Sequence, residues 1–291
     1  MRIVRYRYNG ETAYGAWDGD LVSTPEQFFG PDGVALSDSL SGLLEICEML
    51  QHRSVEAGGA QHNVDRFRQR TLPLDDVRLL APVSPGKIIA LGYNYKDLVG
   101  EREAYDEPVI FLKPPSAVIG PEEAIVLRED RKVWTEVELA IVIGKTCRDV
   151  SPQEAAEFIL GHTVANDITM SNCLGRDHHL ARSKGWDTFC PLGPAIVTGV
   201  DTASLKMSNS INGELMQNSS TDRRILDDGE VVSFISRFCT LEPGDVILTG
   251  TPANAENSVI RDGDSVTVSI EGLGTLTNPV RAKFDSRAVG G

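Results

Sequence analysis

Two carboxylates in this chain have the type and spacing to face a divalent cation together, and a third lies in a suggestive setting. In Val133-Trp134-Thr135-Glu136-Val137-Glu138-Leu139-Ala140-Ile141-Val142-Ile143-Gly144 the odd positions are apolar apart from Thr135, which is the period of a strand with a buried face. Glu136 and Glu138 then project from the opposite face, with Cα atoms about 7 Å apart. Two like charges so placed repel each other, and a hard cation with oxygen ligands at about 2.1 Å would relieve them. The competing reading is a solvated strand face, where an E-x-E pair is common. Asp167 ends the run His162-Thr163-Val164-Ala165-Asn166-Asp167. At a strand terminus it could be a ligand, a helix cap or a turn former. Spacing alone does not bring it to the two glutamates.

The elements that must position these residues are mostly strands. Short apolar runs lie at 88–91, 109–112, 133–143, 163–165, 195–197, 246–248 and 266–270, punctuated by turns such as Pro243-Gly244-Asp245 and Asp262-Gly263-Asp264. Two helices are expected among them. Ser151-Pro152-Gln153-Glu154 reads as a capping box opening a helix to about Leu160. Asp228 reads as the cap of a second helix, with Val232, Ile235 and Phe238 on one face. Residues 1–80 differ from the rest. Alternating segments flank Asn9-Gly10, a hairpin signal, and Asp18-Gly19 follows as a second turn. Leu40, Leu43, Leu44, Cys47 and Leu50 recur at helical spacing. Ala81-Pro82-Val83-Ser84-Pro85-Gly86 marks the boundary between a small N-terminal domain, 1–80, and a larger domain, 81–291. With no regular βαβ alternation, the expected class is α+β and strand-dominated, a roll or sandwich.

Composition narrows the partners. The 291 residues carry 42 Asp+Glu against 28 Lys+Arg, a formal charge of −14, which argues against a nucleic-acid binder or docking on anionic membranes. No apolar run approaches the roughly 20 residues that span a bilayer, and no export signal is visible at the N-terminus. Five cysteines, none in C-x-x-C, read as reduced thiols of a cytoplasmic protein.

Ordered motifs from Lys87 to Val280 give the chain a resemblance. They are Gly92-Tyr93-Asn94-Tyr95, Phe111-Leu112-Lys113-Pro114-Pro115-Ser116, Glu136-Val137-Glu138-Leu139-Ala140 and Asn166-Asp167. Ser183-Lys184-Gly185-Trp186-Asp187, Asn212-Gly213-Glu214, Leu241-Glu242-Pro243-Gly244-Asp245 through Thr249-Gly250-Thr251-Pro252, and Gly272-Leu273-Gly274 follow. In these the chain resembles the fumarylacetoacetate hydrolase family in its short bacterial-type form.

The resemblance implies a mixed β-sandwich roll behind a small N-terminal α/β domain, usually a homodimer. It implies one Mg²⁺ or Mn²⁺ per subunit on Glu136, Glu138 and Asp167, with Lys184 beside the developing oxyanion. The implied substrate is a small 1,3-dicarbonyl or 2-oxo acid, and the implied reaction is hydrolysis, decarboxylation or isomerisation at a C–C bond or keto–enol system. Tyr95, Lys113, Ser171, Leu98 and Thr251 are the implied substrate contacts.

The departures concern proton transfer. Family members usually carry a histidine and a glutamate three residues apart after G-x-N-Y. Here Glu101 remains, but Leu98 fills the histidine position and cannot relay a proton. Ser171 and Leu174 stand where an arginine and a glutamine are usual. His178 and His179 lie between Asp167 and Lys184, and His179 is a candidate base if it reaches the site; solvent exposure is the bland alternative. These changes point to a divergent substrate. The alternatives are a specialised biosynthetic lyase, isomerase or cyclising enzyme, and a non-catalytic descendant that keeps the metal as a staple.

Overall fold

The computed structural model describes residues 1–25, 69–100, 107–172 and 175–283. The helix expected around 40–50, Glu101 and Leu174 lie outside the described residues.

The architecture follows from where apolar alternation gives way to continuous apolar runs. Val137–Ile143 is buried at every position, and so is Cys190–Val197. Such strands need cover on both faces, so they take the middle of a sheet. The large sheet runs in the order Gln69–Pro73, Leu21–Pro25, Glu11–Asp18, Arg2–Tyr8, Cys190–Val197, Ile159–Asn166, Val137–Ile143, Val246–Leu248, Ile88–Gly92, Val109–Lys113. Most neighbours are antiparallel; Val246–Leu248 and Ile88–Gly92 are parallel. The N-terminal hairpin joins this sheet directly, with Arg2 opposite Val197 and Ile3 opposite Ile196. Its turn falls at Asn9 (φ 49°) and Gly10 (φ 87°), the positive-φ pair that a tight two-residue hairpin requires.

A second, five-stranded sheet is ordered Glu214–Ser220, Lys206–Ile211, Ser265–Ile270, Gly274–Ala282, Ile125–Leu127. It packs on the first through Val137, Leu139, Val164, Met207, Val268, Ile270 and Leu276, all fully or almost fully buried. Elsewhere the large sheet is covered by the helix Asp228–Ser236, whose Val231, Val232 and Ile235 pack on Ile89, Leu91, Ile141 and Ile247. Each such side chain contributes roughly 1.5–3 kcal/mol on burial. The molecule is therefore strand-dominated α+β with mixed sheets, as expected.

Three local expectations are corrected. The helix expected from Ser151 to Leu160 is a turn and one short 3₁₀ segment, Ala155–Phe158, after which Ile159 enters a strand. The reciprocal box does not form: Ser151 N and Oγ both donate to Glu154 Oε2, at 3.0 and 2.6 Å, but Glu154 N donates to the Ser151 backbone carbonyl at 3.2 Å. Pairing of Ile159 with Ile143 then claims the chain before a helix can extend. The second helix is capped by Asp227, not Asp228: Asp227 accepts from Glu230 N, and Glu230 accepts in return from Asp227 N. Phe238 lies beyond the helix end and is 60% exposed, stacked edge-on against Phe234. A further strand pair, Lys206–Ile211 with Glu214–Ser220, has no apolar signature in the sequence to announce it.

Candidate metal centre

The ligand strand brings its glutamates inward. Ala140 and Val142 lie in an apolar cluster with Phe111, Ala117, Cys190 and Leu192, and Glu138 and Glu136 continue that file toward the strand's start. The regular strand begins only at Val137; a separate two-residue strand, Val133–Trp134, pairs with Thr169–Met170. Asp167 follows the neighbouring strand Ile159–Asn166 and is tied to Glu136 by Asp167 N donating to Glu136 O at 2.9 Å. Thus the expected strand terminus and the E-x-E pair converge. One carboxylate oxygen from each of Glu136, Glu138 and Asp167 lies within 4.8 Å of the others, and all three residues are buried. The solvated-face reading of Glu136 and Glu138 does not hold.

Each carboxylate has a defined set of donors. Glu136 Oε1 accepts from Trp134 Nε1 (2.7 Å) and Thr169 Oγ1 (2.9 Å), from the two cross-strand partners of the small ladder. Glu136 Oε2 accepts from Lys184 Nζ at 2.9 Å. Asp167 takes one lysine on each oxygen, Lys113 Nζ at 2.6 Å and Lys184 Nζ at 2.5 Å. Glu138 Oε2 accepts from Gly250 N at 2.7 Å. Gly250 has φ 99°, and a Cβ there would meet Asn94 Cβ at 3.1 Å and Leu91 O at 3.3 Å, so glycine is what lets this amide reach the carboxylate.

The lysines are positioned as carefully as their partners. Lys184 ends the short helix Ala181–Lys184, whose first turn is capped by Asp177 accepting from Arg182 N and Ser183 N. Burial works against the Asp177 charge, but the Ser183 hydrogen bond and these amides outweigh it and hold the carboxyl below its usual range. The Lys184 ammonium also lies 4.8 Å from the Phe111 ring centroid, a cation–π contact. Lys113 donates to the Lys184 carbonyl at 2.6 Å, and its side chain is wholly enclosed.

Three carboxylates thus face two ammonium groups. Burial and then the charges of Asp167 and Glu136 push the Glu138 carboxyl well above its ordinary range, against the pull of Lys184 and the Gly250 amide. Burial opposes the Asp167 charge too, but the two lysines dominate and hold it low. Lys184 is held above its ordinary range because its three carboxylate neighbours outweigh the cost of burying it. A cluster of hard oxygen donors that carries one carboxylate too many for its lysines fits a divalent cation on Glu136, Glu138 and Asp167.

Other residues that the sequence marks out take varied places. Tyr95 is fully buried between the sheets, its hydroxyl donating to Met207 Sδ at 3.1 Å, and burial pushes its phenol up. Leu98 packs against that same cluster, close to Tyr95 in sequence and in space. Thr251 Oγ1 donates to Val137 O at 3.1 Å and accepts from Gln217 Nε2 at 3.2 Å. Ser171 N donates to Lys132 O at 2.8 Å. His178 and His179 are exposed, and neither makes a hydrogen bond to the carboxylates. Trp134, Thr169, Phe111 and Gly250 hold the cluster in place, yet sequence reasoning does not pick them out as site residues. Phe111 and Gly250 stand within the motifs and Trp134 and Thr169 beside them, which is their signal in the sequence.

A cavity of about 680 Å³ opens elsewhere, beside His162, Thr202, Arg224 and Asp228. It does not include the three carboxylates.

Comparison with known proteins shows the family. The family model for the fumarylacetoacetate (FAA) hydrolase C-terminal domain matches residues 87–281. The crystal structure of 5-carboxymethyl-2-hydroxymuconate delta-isomerase from Mycobacterium smegmatis superposes with a TM-score of 0.78 at 39% identity, covering 97% of this chain and 100% of that one. Maleylpyruvate hydrolase from Sphingobium sp. SYK-6, in complex with manganese(II) and pyruvate, gives 0.77 at 30% identity over 97% and 99% of the two chains. Bovine mitochondrial oxaloacetate tautomerase FAHD2B is 40% identical over 228 residues, 72% of this chain and 71% of its own. This chain belongs to the fumarylacetoacetate hydrolase family.

Proposed function

We propose that the protein is a divalent-metal-dependent enzyme that interconverts the keto and enol forms of a small 2-oxo acid of the oxaloacetate class. The observation that carries this reading is the buried set Glu136, Glu138 and Asp167 with the Lys184 ammonium on two of them. When bound there, Mg²⁺ or Mn²⁺ would supply Lewis-acid polarisation of the substrate's carbonyl oxygens. Among the described residues Lys184 is the cation best placed to offset negative charge developing on an enolate oxygen. The enclosure of the cluster excludes bulk water, which strengthens that interaction.

Isomerisation is preferred to hydrolysis because it needs no activated water. Among the described residues no imidazole hydrogen-bonds to the cluster, and Leu98, at the usual histidine position, is packed into an apolar surround. Glu101 is then the proton carrier, taking a proton from carbon and returning it to oxygen or the reverse. The isomerase and tautomerase relatives support the reaction class, and the manganese complex of a hydrolase relative supports the metal. The free thiols Cys147, Cys190 and Cys239 support a reducing, cytoplasmic setting, and we extend the reading to a homodimer on family grounds.

Following the ultraviolet absorbance of enolic oxaloacetate tests this directly. With Mn²⁺ or Mg²⁺ the expected ketonisation rate exceeds the buffer reaction by at least about 100-fold, and chelator removes the excess. Metal-dependent cleavage of an acylpyruvate without any ketonisation activity would overturn the isomerase reading and favour hydrolysis.

A further inference from the structure

The backbone that carries the metal ligands is held mainly by side chains. Between Trp134 and Val137 the chain leaves its sheet, so six backbone groups of Thr135, Glu136 and Val137 need partners. All six have them. Thr135 N donates to Ser258 O at 3.1 Å, and Asp167 N donates to Glu136 O at 2.9 Å. The other four are met by side chains. Asn209 Nδ2 donates to Thr135 O (3.3 Å), and Glu136 N donates to Asn166 Oδ1 (3.0 Å). Val137 N donates to Gln217 Oε1 (3.3 Å), and Thr251 Oγ1 donates to Val137 O (3.1 Å).

Two of those side chains come from the other sheet. Asn209 and Gln217 are directly opposed in the hairpin of Lys206–Ile211 and Glu214–Ser220. They are 0% and 1% exposed, and Asn209 Nδ2 donates to Gln217 Oε1 at 3.0 Å. Gln217 also reaches the turn beyond Gly250: its Nε2 donates to Thr251 Oγ1 (3.2 Å), Pro252 O (3.0 Å) and Ala253 O (3.2 Å). These partners fix its orientation, since the amide oxygen meets an N–H and the amide nitrogen meets carbonyls. One side chain therefore joins the backbone between the two ligand glutamates to the turn whose Gly250 amide holds Glu138.

Buried polar groups are costly, the more so because Asn209 Oδ1 has no hydrogen-bond partner among the described residues, and two apolar residues here would pack between sheets at no such cost. We infer that Asn209 and Gln217 are positioning residues, a polar clamp from the second sheet that sets the spacing of Glu136 and Glu138 for the cation. The inference rests on the metal site proposed above. It assigns to the second sheet a part in ligand geometry, where otherwise it would serve only to cover the core.

The test is Mn²⁺ affinity, read by electron paramagnetic resonance on wild type, Gln217→Met, Asn209→Ala and Glu136→Gln, all well below their melting temperatures. A remote core variant, Val232→Ala, supplies a protein with reduced stability and an intact clamp. The clamp predicts a loss of Mn²⁺ affinity of about tenfold or more for Gln217→Met, a smaller loss for Asn209→Ala, and none for Val232→Ala. If Gln217→Met does not fold, Asn209→Ala carries the same reading. Unchanged affinity in both clamp variants, with affinity abolished in Glu136→Gln, overturns the clamp and leaves the metal site standing. Wild type and Glu136→Gln binding Mn²⁺ alike overturns both.

Discussion

Two polar clusters lie along the strand Ile159–Asn166, one buried and one half-buried, and their charge balance differs. At one end Asp167 joins Glu136 and Glu138, three carboxylates against Lys113 and Lys184. Toward the other, His162 faces a single carboxylate, Asp228, which also pairs with Arg224 and accepts from Thr202 Oγ1 at 2.5 Å. Burial works against the Asp228 charge, but the His162 hydrogen bond and the Arg224 charge outweigh it and hold the carboxyl far below its ordinary range. Burial and two like charges instead drive Glu138 up. The first cluster is enclosed and the second borders a cavity, and only the first concentrates negative charge beyond what its own cations offset. A balanced cluster ties elements together, here the helix Asp228–Ser236 to the large sheet; an unbalanced one calls for a proton or a metal ion.

Matched amide substitutions should separate the two roles. Glu138→Gln keeps an acceptor for Gly250 N–H and removes the repulsion. Activity should fall by about 10³-fold or more, since the lost Lewis-acid contribution amounts to several kcal/mol. The metal-free melting temperature should hold or rise. A melting temperature that drops sharply while activity persists would reverse the assignment. Asp228→Asn should do the opposite. It leaves the nearly buried Arg224 without its counter-charge, for a stability loss of about 3–5 kcal/mol by chemical denaturation, with kcat/KM below the transition within about threefold of wild type. Loss of turnover in a folded Asp228→Asn protein would show that this cluster belongs to the site.

A smaller effect is the pH dependence of the metal-free protein, in which the two carboxyls have opposite signs. Glu138 is raised in the folded state, so its contribution to stability is complete below the ordinary glutamate range, about 4.3, and is lost as pH rises through its folded value. Asp228 is depressed, so its contribution is present above the ordinary aspartate range, about 3.9, and is lost as pH falls through its folded value. Thermal melts from pH 3 to 8 should show Mn²⁺ giving a larger rise in melting temperature at higher pH. In Glu138→Gln that pH-dependent increment should shrink; an increment that persists there points to another titrating group. Smallest of all, Thr202→Val should cost about 1 kcal/mol by denaturant midpoint and leave Mn²⁺ affinity unchanged, whereas a change in Mn²⁺ affinity would couple the clusters.

The two clusters also differ in how far the sequence reveals them. Glu136 and Glu138 are legible because alternation around them fixes which face they share, and Asp167 because it ends an apolar run. Their convergence is not legible, since it depends on the pairing of Val137 with Asn166 across a tertiary ladder. His162 reads as a strand residue, but its partners Thr202, Arg224 and Asp228 come from separate segments of the chain. Asp228 reads as a helix cap because capping residues are local signals; the cap is its neighbour, and its own carboxylate is taken up by long-range partners. The expected helix after Ser151 fails for a related reason. The local Ser151–Glu154 contact decides one turn, while strand pairing at Ile159 directs the chain beyond that turn. The motif around Lys113 suggests a substrate contact, and the bonds of its ammonium to Asp167 and to the carbonyl of Lys184 carry no local signal. Asn209 and Gln217 give no signal at all, because a polar residue in an alternating strand ordinarily faces water.

Anomalous diffraction from crystals grown with Mn²⁺ tests the central claim most directly, because it locates the cation without reference to activity. The account predicts one strong peak per chain at about 2.1 Å from carboxylate oxygens of Glu136, Glu138 and Asp167, with none at Asp228. A peak beside Asp228 and His162, or full Mn²⁺-dependent turnover with no peak among the three carboxylates, would contradict it.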